Sequence, residues 1–197
     1  MVGQAGAGMK IPSIPKSEFV GTIASFNPYL NSEETSIVVA LTDNVAPKVF
    51  IEFGCNYGRT AKTLLHHVLS LEKYIGIDVP SEHEPLLACQ RSEIPYNAGG
   101  FAATDPRFFL LLRNSLELEA RDLEPCDAVF IDGDHSERAV LHDSNLACAL
   151  LRPGGIIIWH DYGNNAVEVT QALHYLHQQC GWRITPVRDT WLAYAKF

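Results

Sequence analysis

The chain has 197 residues, 47% of them hydrophobic, which suits one domain burying about 70% of the surface its unfolded form would expose. Its formal net charge is -8 and no stripe of Lys and Arg runs along it, so a nucleic-acid partner is not expected. Five cysteines, scattered and without C-x-x-C spacing, argue against a disulfide framework or a zinc site and fit a reducing cytoplasm. No apolar run approaches the ~20 residues of a membrane span, so a soluble protein with no membrane partner is expected.

In chain order, residues 1–16 carry Gly3, Gly6 and Gly8 before an I-P-S-I-P run and read as a flexible arm, with 17–197 as a single domain. Residues 17–48 read as a helical cover. Its clearer helix opens at Asn31 as N-cap, with Glu34 at the third position and Ile37, Val38 and Leu41 turned inward. Asn27, Pro28 and Tyr29 read as a turn.

Val49 to Phe53 is a short apolar run of β-favouring residues, the pattern of a central parallel strand. It stops at Gly54. Beyond Gly58 the residues Ala61, Leu64, Leu65 and Val68 recur at helical spacing, which makes the segment a strand, a glycine turn and a helix. A ligand can meet bare backbone at such a turn. A dinucleotide site has glycine where Glu52 stands, because a carboxylate there repels pyrophosphate; the same carboxylate suits a ligand whose nearest groups are cationic. The next strand, Tyr74 to Ile77, ends in Asp78, 24 residues beyond Gly54, where an acidic side chain can accept from both hydroxyls of a ribose.

Residues 79–106 form a long connection with a helix expected around 85–91; that length suggests a lid or specificity loop. The third strand, 107–112, leads into Arg113, Asn114 and Ser115, where an N-cap for a following helix and a ligand contact are equally open. A fourth strand ends in Ile131-Asp132-Gly133-Asp134-His135. Asp134 and Glu137 have the spacing of a capping box for the next helix, which closes at Arg152-Pro153-Gly154-Gly155. The fifth strand, 156–159, runs into His160-Asp161-Tyr162. Asn165 with Glu168 is expected to cap the last helix, and 182–187 and 191–196 to form a terminal antiparallel pair. Strands alternating with helices predict a parallel sheet whose loops gather at one edge, so Asp132, His160 and Asp161 converge there. His66, His67, His174 and His177 read as surface or boundary residues.

The run Glu52-Phe53-Gly54-Cys55-Asn56-Tyr57-Gly58 resembles the E/D-x-G-x-x-x-G motif of class I S-adenosylmethionine-dependent methyltransferases. The IDGDH and HDY segments resemble a subgroup that includes small-molecule O-methyltransferases. The resemblance implies an α/β, Rossmann-like fold with a mostly parallel seven-stranded sheet ending in an antiparallel hairpin. It implies S-adenosylmethionine as cofactor, held by Glu52, Gly54, Cys55, Asn56, Tyr57, Gly58, the ribose acid Asp78, Asn114 and Ser115 near the adenine, and Asp132. Catechol O-methyltransferases hold a metal with an Asp after the fourth strand and an Asp-Asn pair after the fifth; by strand position these become Asp132, His160 and Asp161, for Mg2+ or another divalent cation. Their general-base lysine falls on His135, which makes His135 and Asp132 the expected catalytic pair. His160 in place of an acid lowers the negative charge of the site, and His135 keeps a base with an unperturbed pKa near ~6.5. The implied partner is a small-molecule acceptor, with a homo-oligomer left open. A metal-dependent phosphoester hydrolase, a nicotinamide oxidoreductase and a non-catalytic S-adenosylmethionine-binding protein are the rival readings.

Overall fold

The computed structural model describes residues 12–19, 29–84 and 91–197. The elements are β1 (Ile14–Pro15), α1 (Ser32–Asp43), β2 (Val49–Phe53), α2 (Arg59–His67), β3 (Lys73–Asp78), β4 (Phe108–Leu112), β5 (Cys126–Ile131), α3 (Glu137–Leu150), β6 (Leu151–Trp159), α4 (Val169–Gln179), β7 (Thr185–Arg188) and β8 (Ala193–Lys196). Most of the turn at 27–29 and most of the helix expected around 85–91 lie outside the described residues.

The strands form one sheet in the order β1-β7-β8-β6-β5-β2-β3-β4. From β6 to β4 every pairing is parallel, while β8 runs antiparallel to both β6 and β7. The sheet therefore has eight strands rather than the expected seven. The eighth is β1, the end of the expected arm, which adds to the edge of β7 in parallel register.

Side chains alternate across the sheet with period two, and the two faces bury different residues. Phe50, Ala128, Phe130, Ile156 and Ile158 pack with Ile37, Val38 and Leu41 of α1 and Ala61, Leu64 and Leu65 of α2. Ile51, Phe53, Val129, Ile131, Ile157 and Trp159 pack with α3 and α4 on the other side. These helices form where expected, and α1 carries the full capping box between Asn31 and Glu34. Among the described residues no helix is long and apolar enough to cross a membrane.

Three local expectations are corrected. The N-cap of α3 is Ser136, whose hydroxyl accepts from the Ala139 amide; Asp134 sits two residues earlier and accepts from the Ser136 amide at 2.9 Å. The last helix starts only at Val169, and Asn165 does not cap it. Glu168 instead reaches 2.8 Å to the Glu137 amide and serves α3. The segment Arg152 to Gly155 belongs to β6 rather than to a turn closing α3, but with Gly154 at φ +85° it steps out of the pairing: Leu151 pairs with Cys126, and Ile156 with Ala128.

Candidate active site

Where the chain leaves β2, Gly54 adopts φ +86°, and a Cβ added there would stand 2.1 Å from the Asp132 carbonyl oxygen. Only a residue without a side chain lets this turn close onto the exit of β5. The Gly54 and Cys55 amides both donate to the Ile77 carbonyl, which fixes the turn against β3. Asn56 and Gly58 also have positive φ, and Gly58 lies against Gly99 from the connection after β3. That connection docks on the turn: the Gly99 amide donates to the Asn56 carbonyl, the Phe101 amide to the Tyr57 carbonyl, and the Arg59 guanidinium covers the Phe101 ring at 4.1 Å. Residues 97–102 are thus part of the turn's support.

Above this edge of the sheet opens a cavity of about 540 Å³. Of the residues singled out from sequence, Gly54, Cys55, Asn56, Tyr57, Asp78, Asn114, Ser115, Asp132, His135, His160 and Asp161 all line it. Glu52 and Gly58 do not. Gly58 is occupied by the contact with Gly99. Glu52 shares the sheet face of Phe50, beneath α2, and is 1% exposed. Burial, reinforced by the charge of Asp132, pushes its carboxyl up to about 8 against the opposing influence of Tyr74, Cys55 and Thr60.

At one end of the cavity Asp78 accepts from the Asn56 amide at 2.6 Å and from the Val79 amide at 2.8 Å, so the acid after β3 also shapes the turn after β2. Burial outweighs those two bonds and raises its pKa. The Asn114 side chain accepts from the Leu116 amide and caps a short helical turn, while the Ser115 hydroxyl reaches the buried Asp143 carboxylate at 3.2 Å. The capping expectation for this segment holds for Asn114, and both side chains also border the cavity.

At the other end the loops after β5 and β6 bring Asp132, His135, His160 and Asp161 together. Asp161 has φ +61°, and its Oδ1 is held by the Asn164 amide nitrogen at 2.6 Å. Its Oδ2 lies 3.6 Å from His135 Nδ1 and 3.1 Å from His160 Nδ1. His160 Nδ1 is also 3.4 Å from Asp132 Oδ1, and on the far side of the ring Nε2 faces Glu34 Oε2 at 3.7 Å, an ion-pair distance longer than a hydrogen bond. Glu34 comes from the first turn of α1, where its Oε2 meets the Asn31 amide group and its Oε1 accepts from the Trp191 backbone. Burial would lower the His160 pKa, but Asp132, Asp161 and Glu34 together lift it to about 12. The same contacts hold Asp161 and Glu34 below the usual carboxylate range, although burial pulls each of them upward.

The residues of the expected metal set converge: His160 Nδ1 lies 3.4 Å from Asp132 Oδ1 and 3.1 Å from Asp161 Oδ2. On the far side of the ring Nε2 faces Glu34, the place a carboxylate takes behind a metal-ligating histidine. Asp132, His135 and Asp161 also have ligand-type atoms within 4.8 Å of one another.

Residues that the sequence left unmarked complete the cavity. Tyr29, Trp191 and Asn164 border its chemical edge, and Asp143 lies at the Asn114 end. Glu34 was legible only as a capping residue. Its contact with His160 joins residues 126 positions apart and has no local signature. Of the other histidines, His174 meets the Tyr162 hydroxyl and His177 the Trp182 carbonyl, both outside the cavity.

A family model described as a methyltransferase domain matches residues 51–162, from β2 to the turn after β6. No curated protein matches the chain. A Staphylococcus aureus structure assigned as a caffeoyl-CoA O-methyltransferase is 15% identical, with a TM-score of 0.66 over 86% of this chain and 85% of that one. The O-methyltransferase TomG from Streptomyces achromogenes, involved in tomaymycin synthesis and solved with SAM, is 14% identical, with a TM-score of 0.60 over 85% and 80% of the two chains. The SAH-bound methyltransferase PaMTH1 of Podospora anserina is 14% identical, with a TM-score of 0.63 over 93% and 82%. At such identities the likeness is one of fold.

Proposed function

Because the chain belongs to the methyltransferase-domain family, whose model spans more than half of it, we propose that it transfers a methyl group from S-adenosylmethionine to a hydroxyl of a small molecule. The observation that carries this reading is a single cavity joining the glycine turn and Asp78 to the Asp132, His135 and Asp161 edge. Bound S-adenosylmethionine supplies an activated methyl group on a positively charged sulfur. The bare backbone around Gly54, Cys55, Asn56 and Tyr57 would hold it, with Asp78 accepting from its ribose hydroxyls and Asn114 and Ser115 beside its adenine.

At the chemical edge, His135 is the base that takes the acceptor's proton as its oxygen receives the methyl group. Asp161 Oδ2, 3.6 Å away, orients the imidazole, and Asp132 borders the acceptor. The chain's contribution is positioning and deprotonation. A hydroxyl acceptor is favoured because the edge offers a base and carboxylates but no nucleophile of its own. O-methyltransferases also recur among the structural relatives. A phosphoester hydrolase would need no ribose acid and leaves the glycine turn unexplained.

The test is titration with S-adenosylhomocysteine followed by transfer of label from methyl-labelled S-adenosylmethionine to a panel of phenols and glycosides. Ligand at a hundred times its dissociation constant adds about 2.7 kcal/mol, which raises the unfolding midpoint of a domain this size by roughly 5 to 11 °C. Asp78→Ala should weaken binding by about 10-fold or more, since a charge-assisted hydrogen bond and the anchor of the Asn56 amide go together. Absence of any shift with the wild-type protein would sink the reading. Label found only on amines would sink the hydroxyl acceptor and leave the methyl transfer.

A further inference from the structure

The two edges of the sheet are built differently. At one end β1 is two residues long, closes on Pro15 and is followed by Lys16, features that discourage a further strand. At the other end β4 runs Phe108-Phe109-Leu110-Leu111-Leu112 in unbroken parallel register with β3, with no charge, proline or bulge among its five residues. Phe109, Leu110 and Leu112 are 49%, 37% and 45% exposed. An uncovered edge of this kind is a template for another strand.

The ladder with β3 shows which backbone groups the edge offers. The Tyr74 amide donates to the Arg107 carbonyl and the Arg113 amide to the Asp78 carbonyl, so Phe109 and Leu111 turn their backbone groups to β3 while Phe108, Leu110 and Leu112 turn theirs away. The Phe108 amide is taken by the Asp105 carbonyl at 3.0 Å. Leu110 and Leu112 are left with outward amides and carbonyls that meet no partner among the described residues.

We propose that β4 is the interface of a two-fold homodimer, pairing antiparallel with β4 of a second copy, Leu110 opposite Leu112, so that the two sheets continue into one. The two open residues fit this symmetry. Each exchanges its amide and carbonyl with the other across an axis at Leu111, which closes both ladders at once. Sliding the register to set Leu110 opposite itself would bring in Phe108, whose amide is already bound. On the α3 face the same axis sets Phe109 opposite Arg113 of the second copy. Lys73 lies over the Phe109 ring at 4.7 Å and pairs with Glu124, while Arg113 pairs with Asp122 at 3.9 Å. Each end of the interface therefore brings a Lys73 and Glu124 pair against an Arg113 and Asp122 pair, cation facing anion in both directions, a match that a second copy supplies by symmetry. On the other face Leu110 and Leu112 cover each other. Pairing through β4 stands apart from methyl transfer, and either can fail without the other.

Sedimentation velocity of the full-length protein between about 5 and 200 µM should show a species of twice 21.8 kDa that gains toward the upper end, since a strand edge buries little area and binds weakly. Leu112→Pro removes an outward amide that β3 does not use, and by symmetry removes it twice, so the dimer should dissociate about 10-fold more readily or more. The register is read by cross-linking in a Cys89→Ser, Cys180→Ser background. Leu111→Cys should form a disulfide with its own copy under mild oxidation, because facing residues of a non-hydrogen-bonded pair lie ~4.5 Å apart at Cα. Phe109→Cys, four positions out of step with its own copy and about 14 Å from it, should not. A monomer at every concentration overturns the proposal, and so does a dimer that Leu112→Pro leaves unchanged. Should Leu112→Pro fail to fold, the cross-links decide: Leu111→Cys joined and Phe109→Cys not joined supports pairing through β4, and any other pattern overturns it.

Discussion

Glu52→Gln separates a buried, neutral Glu52 from an ionised one turned toward a cationic ligand. Its folded-state pKa is about 8 against 4.5 for an unhindered carboxyl. The sign follows from proton counts. Below pH 4.5 both folded and unfolded chains hold the proton and the group is neutral to stability. Between 4.5 and 8 the unfolded chain has released it and the folded chain has not, so stability falls as pH rises; above 8 the loss is complete. Each pH unit inside that window is worth about 1.4 kcal/mol, so between pH 5 and pH 7.5 the wild type should lose on the order of 3 kcal/mol from this group alone. Gln has the shape of the protonated acid and no titration. Unfolding midpoints of wild type and Glu52→Gln, measured at several pH values across that range, should therefore diverge in favour of the variant by roughly 7 to 14 °C. Other titrating groups are common to both proteins and cancel in the difference. Parallel curves would refute the reasoning and place an ionised Glu52 in contact with solvent or ligand.

Gly54→Ala should cost more than about 3 kcal/mol in denaturant unfolding, because a strained φ coincides with a backbone oxygen at 2.1 Å. Gly154→Ala, with a similar φ and nothing within 4 Å, should cost only about 1 kcal/mol. Equal losses would mean the close approach to Asp132 is not what demands glycine at 54. His135→Ala should lower kcat by roughly 10²- to 10⁴-fold while S-adenosylhomocysteine affinity stays within a few fold; an unchanged kcat would remove His135 as the base.

Much of this architecture was legible because it rests on local pattern. The β2 run, Gly54 and Gly58, the capping box at Asn31 and the apolar stripe of α2 each state their structure within a few residues. What could not be read is what depends on the arrangement of elements in space. Period two puts Glu52 on the face opposite Ile51 and Phe53, but only the sheet order and the placement of α2 show that this face lies under a helix and away from the cavity. Glu168 stands at the N-cap position of α4, but its side chain makes no capping bond there and accepts from the Glu137 amide of α3 instead, a contact between residues 31 apart. β1 is two residues long and has no pattern of its own; an exposed edge on β7 made it a strand.

The two histidines of the edge show how far burial, rather than residue type, assigns roles. Both approach the same oxygen, Asp161 Oδ2, at 3.1 and 3.6 Å. His160 also borders the cavity but is only 4% exposed, and carboxylates on both sides of its ring hold it in place between the exits of β5 and β6 and the start of α1. The His135 side chain is 23% exposed, borders the cavity and has one acidic neighbour, which leaves its other nitrogen free to meet a substrate. A base must return to its starting state each turnover, and of the two rings His135 is the more accessible. The substitutions that distinguish this edge from the catechol enzymes then form a pair. One histidine is held among three acids and the other borders the cavity beside a single acid, which is why the base role under the methyl-transfer reading falls on His135.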